Sequence, residues 1–179
     1  MTGTVREIWT APAAAAPMVR RRSVRALPGL GLEGDRYALG GGTWARYPQL
    51  EKQLTLIDAD AVAEAGAEAG VALTPGQTRR NVVTTGIDLP SLVGRYFVVG
   101  DVLLFGAKRC PPCRHLELLT GATLVKALAA RGGINAAVFG SGEIAEGDAV
   151  RPVDDAEAAR RGAPIGADRP VPRLVALPT

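Results

Sequence analysis

Apolar and polar positions along the chain fall into short runs, most of them the length of a strand rather than a helix. Val5-Arg6-Glu7-Ile8-Trp9 alternates as a half-buried strand does. Ala11 to Pro17 is bracketed by prolines and reads as a loop. Val19 to Leu27 is basic and extended in character, with only Val24 and Leu27 as an apolar face, and the glycines of Pro28 to Tyr37 make that stretch a loop. Gln53-Leu54-Thr55-Leu56-Ile57 is a strand. Asp58 then caps a helix that runs to about Glu68, stops at Gly70 and carries a weak apolar stripe centred on Val62.

The second half continues in the same manner. After a Pro75-Gly76 turn, Arg79 to Thr85 reads as a strand ending at Gly86. Arg95-Tyr96-Phe97-Val98-Val99 and Val102-Leu103-Leu104-Phe105 flank Gly100-Asp101, a two-residue turn that predicts a hairpin. Thr123 to Arg131 has the best helical periodicity; it predicts burial of Leu124, Val125 and Leu128 and ends at Gly132-Gly133. Asn135 to Phe139 and Asp148 to Val153 read as closing strands, and Ile144 to Val150 as a strand-turn-strand element. From Asp154 to Thr179 the chain is charged and then proline-rich, which predicts an extended arm or tail. No internal repeat is present.

Strands therefore outnumber helices without regular alternation of the two. This argues against a doubly wound parallel sheet. It predicts a mainly β (α+β) fold, a barrel-like and mostly antiparallel sheet with two or three helices, in one domain over residues 1–153 followed by the 154–179 tail.

Composition narrows the function. The net charge is only +3, too small to imply nucleic-acid binding. No apolar run approaches the roughly 20 residues that span a bilayer, so no membrane role is expected. Lysine occurs only as Lys52, Lys108 and Lys126, and arginine, whose planar fork suits phosphate and carboxylate, dominates the cations. Two cysteines make no disulfide framework, and the first residues lack the basic-then-apolar order of a signal peptide. A reducing cytoplasm is the expected location.

The chemistry is concentrated in Arg109-Cys110-Pro111-Pro112-Cys113-Arg114-His115, which holds both cysteines and the single histidine. A thiolate attacks electrophiles, carries sulfur or binds a soft metal, and neighbouring cations favour it. The Cys-Pro-Pro-Cys spacing also permits a thiol–disulfide module using the Cys110/Cys113 pair. A thioredoxin-type site, however, opens a long helix, and Gly121 interrupts here. Structural zinc lacks a fourth ligand beyond Cys110, Cys113 and His115. His115 is a candidate acid or base, or simply a packed or solvent-facing ring. Gly29-Leu30-Gly31-Leu32-Glu33-Gly34 spells a dinucleotide fingerprint, yet no buried strand precedes it and no helix follows, so its glycines are expected to serve turns that fix Asp35 and Arg36. On a strand, Arg79 and Asn81 would share a face and clasp an oxyanion while Arg80 faces elsewhere; a basic edge that discourages strand pairing is the alternative.

These pieces, in order, resemble the MOSC family, the domain named after the C-terminal part of molybdenum-cofactor sulfurases. The resemblance rests on Gly31 to Tyr37, Gln53 to Ile57, Arg80 to Leu89, Leu92-Val93-Gly94, Val99 to Val102, Pro112-Cys113 and Ile144 to Val150, and covers roughly residues 3 to 153. It implies a MOSC-type β-barrel and a pocket for the molybdenum cofactor. Cys113 is implied as metal ligand or persulfide carrier, with Cys110 an additional cysteine. Arg80 and Asn81 are the pair matching the family, and Arg36, Arg79, Arg109 and Arg114 are further candidates for holding the cofactor. The resemblance leaves open an oxidoreductase that reduces N-hydroxylated substrates and a carrier that hands on cofactor or sulfur. The first needs an external electron-donor protein, since no flavin or iron–sulfur motif is present. The second needs a cofactor-accepting protein. The alternatives are a thiol–disulfide module and a non-catalytic binding protein. Pyridoxal phosphate is not expected, because the chain has no room for the lysine-bearing domain that would hold it.

Overall fold

The computed structural model describes residues 1–43 and 52–171. Its frame is a sheet of β1 (Gly3–Thr10), β2 (Val19–Arg21), β5 (Leu54–Asp58), β6 (Val82–Thr85), β7 (Tyr96–Val99), β8 (Val102–Arg109), β9 (Ile134–Val138) and β11 (Ala149–Pro152). The order is β11-β7-β8-β9-β5-β6-β1-β2, and β1 also pairs with β11, so all but β2 close into a barrel. The β5–β6 pairing is parallel; the others around the ring are antiparallel. A separate small sheet joins β10 (Gly142–Ala145), β3 (Ser23–Leu27) and β4 (Gly31–Leu32). This is the mainly β barrel that the strand-rich pattern predicts.

Burial on both faces explains why several strands lack alternation. Along β7, Phe97 and Val99 enter the barrel core with Leu54, Leu56, Leu104 and Ile134. Tyr96 and Val98 point the other way, into a second core with Phe105, Ala158 and Ala163. The helix α4 (Asp155–Arg160) supplies Ala158. The charged segment after residue 153 thus begins as a helix seated on the barrel rather than as an extended arm, because two small alanines let it approach the sheet; residues 172–179 lie outside the described residues. On another flank, α1 (Ala59–Ala69) and α3 (Val125–Leu128) cover Ile57 and Val83 through Val62, Ala65, Leu124 and Leu128.

The local signals are read correctly at α1. Asp58 accepts hydrogen bonds from the Asp60 and Ala61 N–H groups at 2.9 and 3.3 Å, and Gly70 closes the helix in the left-handed conformation. Three expectations need correction. The helix expected over Thr123 to Arg131 is only Val125–Leu128; Leu124 and Leu128 are buried as expected, but Ala127 takes the buried place expected of Val125. In β1 a bulge between Val5 and Glu7 changes the phase. Val5 and Ile8 are therefore both buried, and Trp9 is turned outward. The strand expected from Arg79 begins only at Val82. No helix among the described residues is long and apolar enough to cross a membrane.

Candidate functional site

Three segments converge on a cavity of about 310 Å3: the Asp35–Tyr37 turn, the Arg79–Arg80 segment before β6, and the cysteine loop that β8 delivers. The turn is built as the glycines predict, with Gly31 and Gly34 at φ 123° and 73°, and no helix follows among the described residues up to Thr43. Its anchor is Asp35, fully buried. Oδ2 of Asp35 accepts from the Ala11 N–H (3.1 Å), from Arg36 Nη1 (3.0 Å) and from Asn81 Nδ2 (3.1 Å), and Oδ1 accepts from the Tyr37 N–H (3.2 Å).

Asn81 is a bolt rather than a ligand. It is fully buried, and its Oδ1 accepts from both the N–H (3.2 Å) and the hydroxyl (2.8 Å) of Thr55. Its Nδ2 donates to Trp9 O at 3.1 Å as well as to Asp35. Every polar atom of the side chain is spent inside the frame, so Asn81 lies behind the cavity wall while Thr55 and Arg36 form part of it.

The arginines before β6 differ from the expected phase. Arg79 has φ 59°, the one non-glycine residue at positive φ among those described, so neither it nor Arg80 follows strand geometry. Both line the cavity. Arg79 donates to the carbonyls of Ala16 (2.9 Å) and Ala14 (2.6 Å), pinning the Ala11–Pro17 loop. Burial and the nearby Arg36 charge hold its guanidinium below the ordinary arginine value. Arg80 is buried and donates to the carbonyls of Gly132 (2.9 Å), Thr78 (3.1 Å), Cys110 (2.8 Å) and Pro111 (3.5 Å), which ties the cysteine loop to the barrel. Gly132 is required there: a Cβ on it would come within 2.5 Å of Cys110 O.

Arg36 donates to Arg79 O at 3.1 Å and stacks over the Tyr37 ring at 5.1 Å. Burial pushes the Tyr37 phenol above its ordinary value, against the pull of Arg36.

Cys110 is half-buried and Cys113 exposed; both are free thiols and both border the cavity. His115 borders it too, and its Nε2 is enclosed without a hydrogen-bond partner among the described residues. Leu116, one residue on, anchors α2 (Arg114–Thr120) in the core that α1 and α3 share. Arg109 and Arg114 are not brought to the cavity. β8 points the Arg109 guanidinium to Ala130 O at 3.0 Å, and Arg114 is exposed. The cations that share the cavity with the cysteines are instead Arg36, Arg79, Arg80, Lys52 and Lys108. The lysines were not anticipated, although they are two of the chain's three. No carboxylate joins them among the described lining residues.

The arrangement combines thiols, an imidazole and a rim of positive charge, suited to a soft electrophile or metal carried on an anion. No three His, Cys, Asp or Glu side chains converge to cage a bare metal ion among the described residues.

The MOSC domain model matches residues 34–151. Among solved structures the fold is similar to that of the YuaD protein from Bacillus subtilis, with a TM-score of 0.69, 20% identity, and 84% of this chain and 94% of that one covered. YiiM from Geobacillus stearothermophilus gives 0.64, 16%, 85% and 75% in the same order. YiiM from Escherichia coli gives 0.63, 17%, 93% and 80%. At such identities the likeness is one of fold. No curated protein matches the chain in sequence.

Proposed function

This chain belongs to the MOSC domain family, and from that premise we propose that it binds the molybdenum cofactor in the 310 Å3 cavity with Cys113 as thiolate ligand. The observation that carries the reading is the donor set: two free thiols and the guanidinium groups of Arg36, Arg79 and Arg80 border one cavity. A phosphate-bearing pterin fits that set, because guanidinium and ammonium groups recognise phosphate by charge-assisted hydrogen bonds. Arg36 and Arg80 would hold the anionic portion, and Cys113 would face the metal. When bound, the cofactor supplies a soft, redox-active metal that accepts a thiolate and passes electron pairs.

The chain's own residues then have distinct tasks. Arg80, fixed to four backbone carbonyls, sets the position of the cysteine loop. Leu116 keeps the start of α2 docked, which holds Cys113 at the cavity edge. The unpartnered Nε2 of His115 is the group able to accept or deliver a proton there.

Protein prepared from a molybdenum-replete host is expected to carry stoichiometric molybdenum and a pterin released by oxidation. Cys113→Ser should lose most of the metal, and Cys110→Ser should keep it. Metal and pterin at background in the unaltered protein would refute the reading. Both thiols border the cavity, which also supports a dithiol–disulfide module; in that case the two serine variants lose activity equally. Turnover of an N-hydroxylated substrate with an external reductant identifies an enzyme, and binding without turnover a carrier.

A further inference from the structure

A second concavity of about 340 Å3 lies beside the first, and Arg79 borders both. It is lined by Trp9, Pro17 and Met18, by Leu119 and Thr120 of α2, and by the Thr74–Gln77 turn. The phase change in β1 turns Trp9 out of the barrel to this place. Gly76 lets the backbone lie against the indole, since a Cβ there would be 2.9 Å from its ring carbons.

Several polar atoms of these walls are occupied internally. Trp9 Nε1 donates to Glu7 at 2.8 Å, and the Thr120 hydroxyl donates to Leu116 O at 2.9 Å. Gln77 Oε1 accepts from the Thr74 N–H (2.8 Å) and hydroxyl (2.9 Å). The groove therefore presents mainly hydrocarbon and an indole face, with the Gln77 amide nitrogen and one cation among them. That cation, Arg79, uses two of a guanidinium's five donors to hold Ala14 and Ala16. Ala14 borders the first cavity and Ala15 the second, so the loop that Arg79 pins is the partition between them.

We propose that this groove binds a planar aromatic molecule bearing one anionic group, the ring between Trp9 and Leu119 and the anion on Arg79. Ligand cavities run from ~300 to ~1,000 Å3, so the volume suits one or two rings. The anion end lies at the partition with the thiol cavity. The groove is thus the docking half of a site whose reacting half is that cavity. Only this last assignment, of the occupant as substrate, rests on the proposed function.

Calorimetric titration of the full-length protein with 2-naphthoate tests the binding. One-to-one binding is expected, at least about tenfold tighter than that of uncharged 2-naphthalenemethanol, since a charge-assisted bond is lost in the alcohol. Leu119→Asp and Ala15→Trp alter exposed positions and should each weaken naphthoate by about tenfold or more with an unchanged melting temperature. Arg79→Asn, a residue that tolerates positive φ, should abolish the preference for acid over alcohol. Cys113→Ser should leave naphthoate affinity unchanged while removing metal, so the groove and the cofactor reading fail separately. Absence of binding, or binding indifferent to Leu119→Asp and Ala15→Trp, would overturn the proposal.

Discussion

The Asp35–Asn81–Thr55 network and the Cys110–His115 loop serve the same cavity and treat their polar groups in opposite ways. In the network each polar side-chain atom has a partner, and Asp35 and Asn81 are fully buried. In the loop Cys113 is exposed, the His115 Nε2 lacks a described partner, and the loop's tether comes from outside, from Arg80. Buried polar networks specify one geometry when fully satisfied and are costly to break. Groups left unsatisfied at a cavity are available for chemistry. The frame fixes positions, and the loop retains reactivity.

Removing one partner from the frame should have the largest effect. Asp35→Ala leaves the buried Arg36 without its counter-charge, 3.0 Å away, and deprives Asn81 and the Ala11 N–H of an acceptor. Breaking a buried pair this way costs roughly 3–5 kcal/mol, to be read from urea unfolding. Cys113→Ser, at an exposed position, should change stability by no more than about 0.5 kcal/mol. Equal losses in the two variants would erase the contrast between frame and loop.

How much of this was legible depended on whether local pattern or distant partners decided the structure. The α1 cap, the β7–β8 hairpin and the glycine turn ahead of Asp35 are set by residues near one another in sequence, and all three are read from it. Arg79-Arg80-Asn81 looks like a strand start, but its side chains answer to carbonyls of Ala14, Ala16, Gly132 and Cys110, and these draw the backbone out of strand geometry. Asn81 is visible as a motif residue, whereas its role as a bolt depends on Thr55 and Asp35, 26 and 46 residues away. Arg109 and Arg114 flank the cysteines in sequence, yet strand and helix geometry send them elsewhere. Lys52 and Lys108 carry no motif, and only the fold brings them to the cavity.

Next in size is the loop's tether. Arg80→Ala removes hydrogen bonds from a charged donor to four carbonyls; one such bond contributes about 1.5–3 kcal/mol, and part of the total is recovered as water enters. The distinguishing readout is thiol accessibility. In the unaltered protein, iodoacetamide should modify the exposed Cys113 faster than the half-buried Cys110. In Arg80→Ala the two rates should converge, because Cys110 O is no longer held. Retention of the rate difference would mean that the loop holds its own shape, and the external tether would lose its role in the comparison.

The smallest effect concerns a third kind of polar arrangement, the surface cluster that fastens α4. Arg151 donates to both oxygens of Glu157 at 2.9 and 2.7 Å, and Arg161 adds a bond at 3.2 Å. The hydrogen bond from Arg151 is the main cause that lowers the Glu157 carboxyl from 4.5 to about 2. A carboxyl depressed in the folded state stabilises it above the unfolded value, and that contribution disappears as protons bind. Stability from this cluster should therefore be complete above pH 4.5 and fall away between about 4.5 and 2. Glu157→Gln should flatten the acid limb of a melting-temperature curve in that window and lower the neutral-pH value by the same amount, a small one because water reaches the cluster and screens it. Added salt should reproduce part of the flattening, whereas the loss caused by Asp35→Ala, a buried partner, should be indifferent to salt.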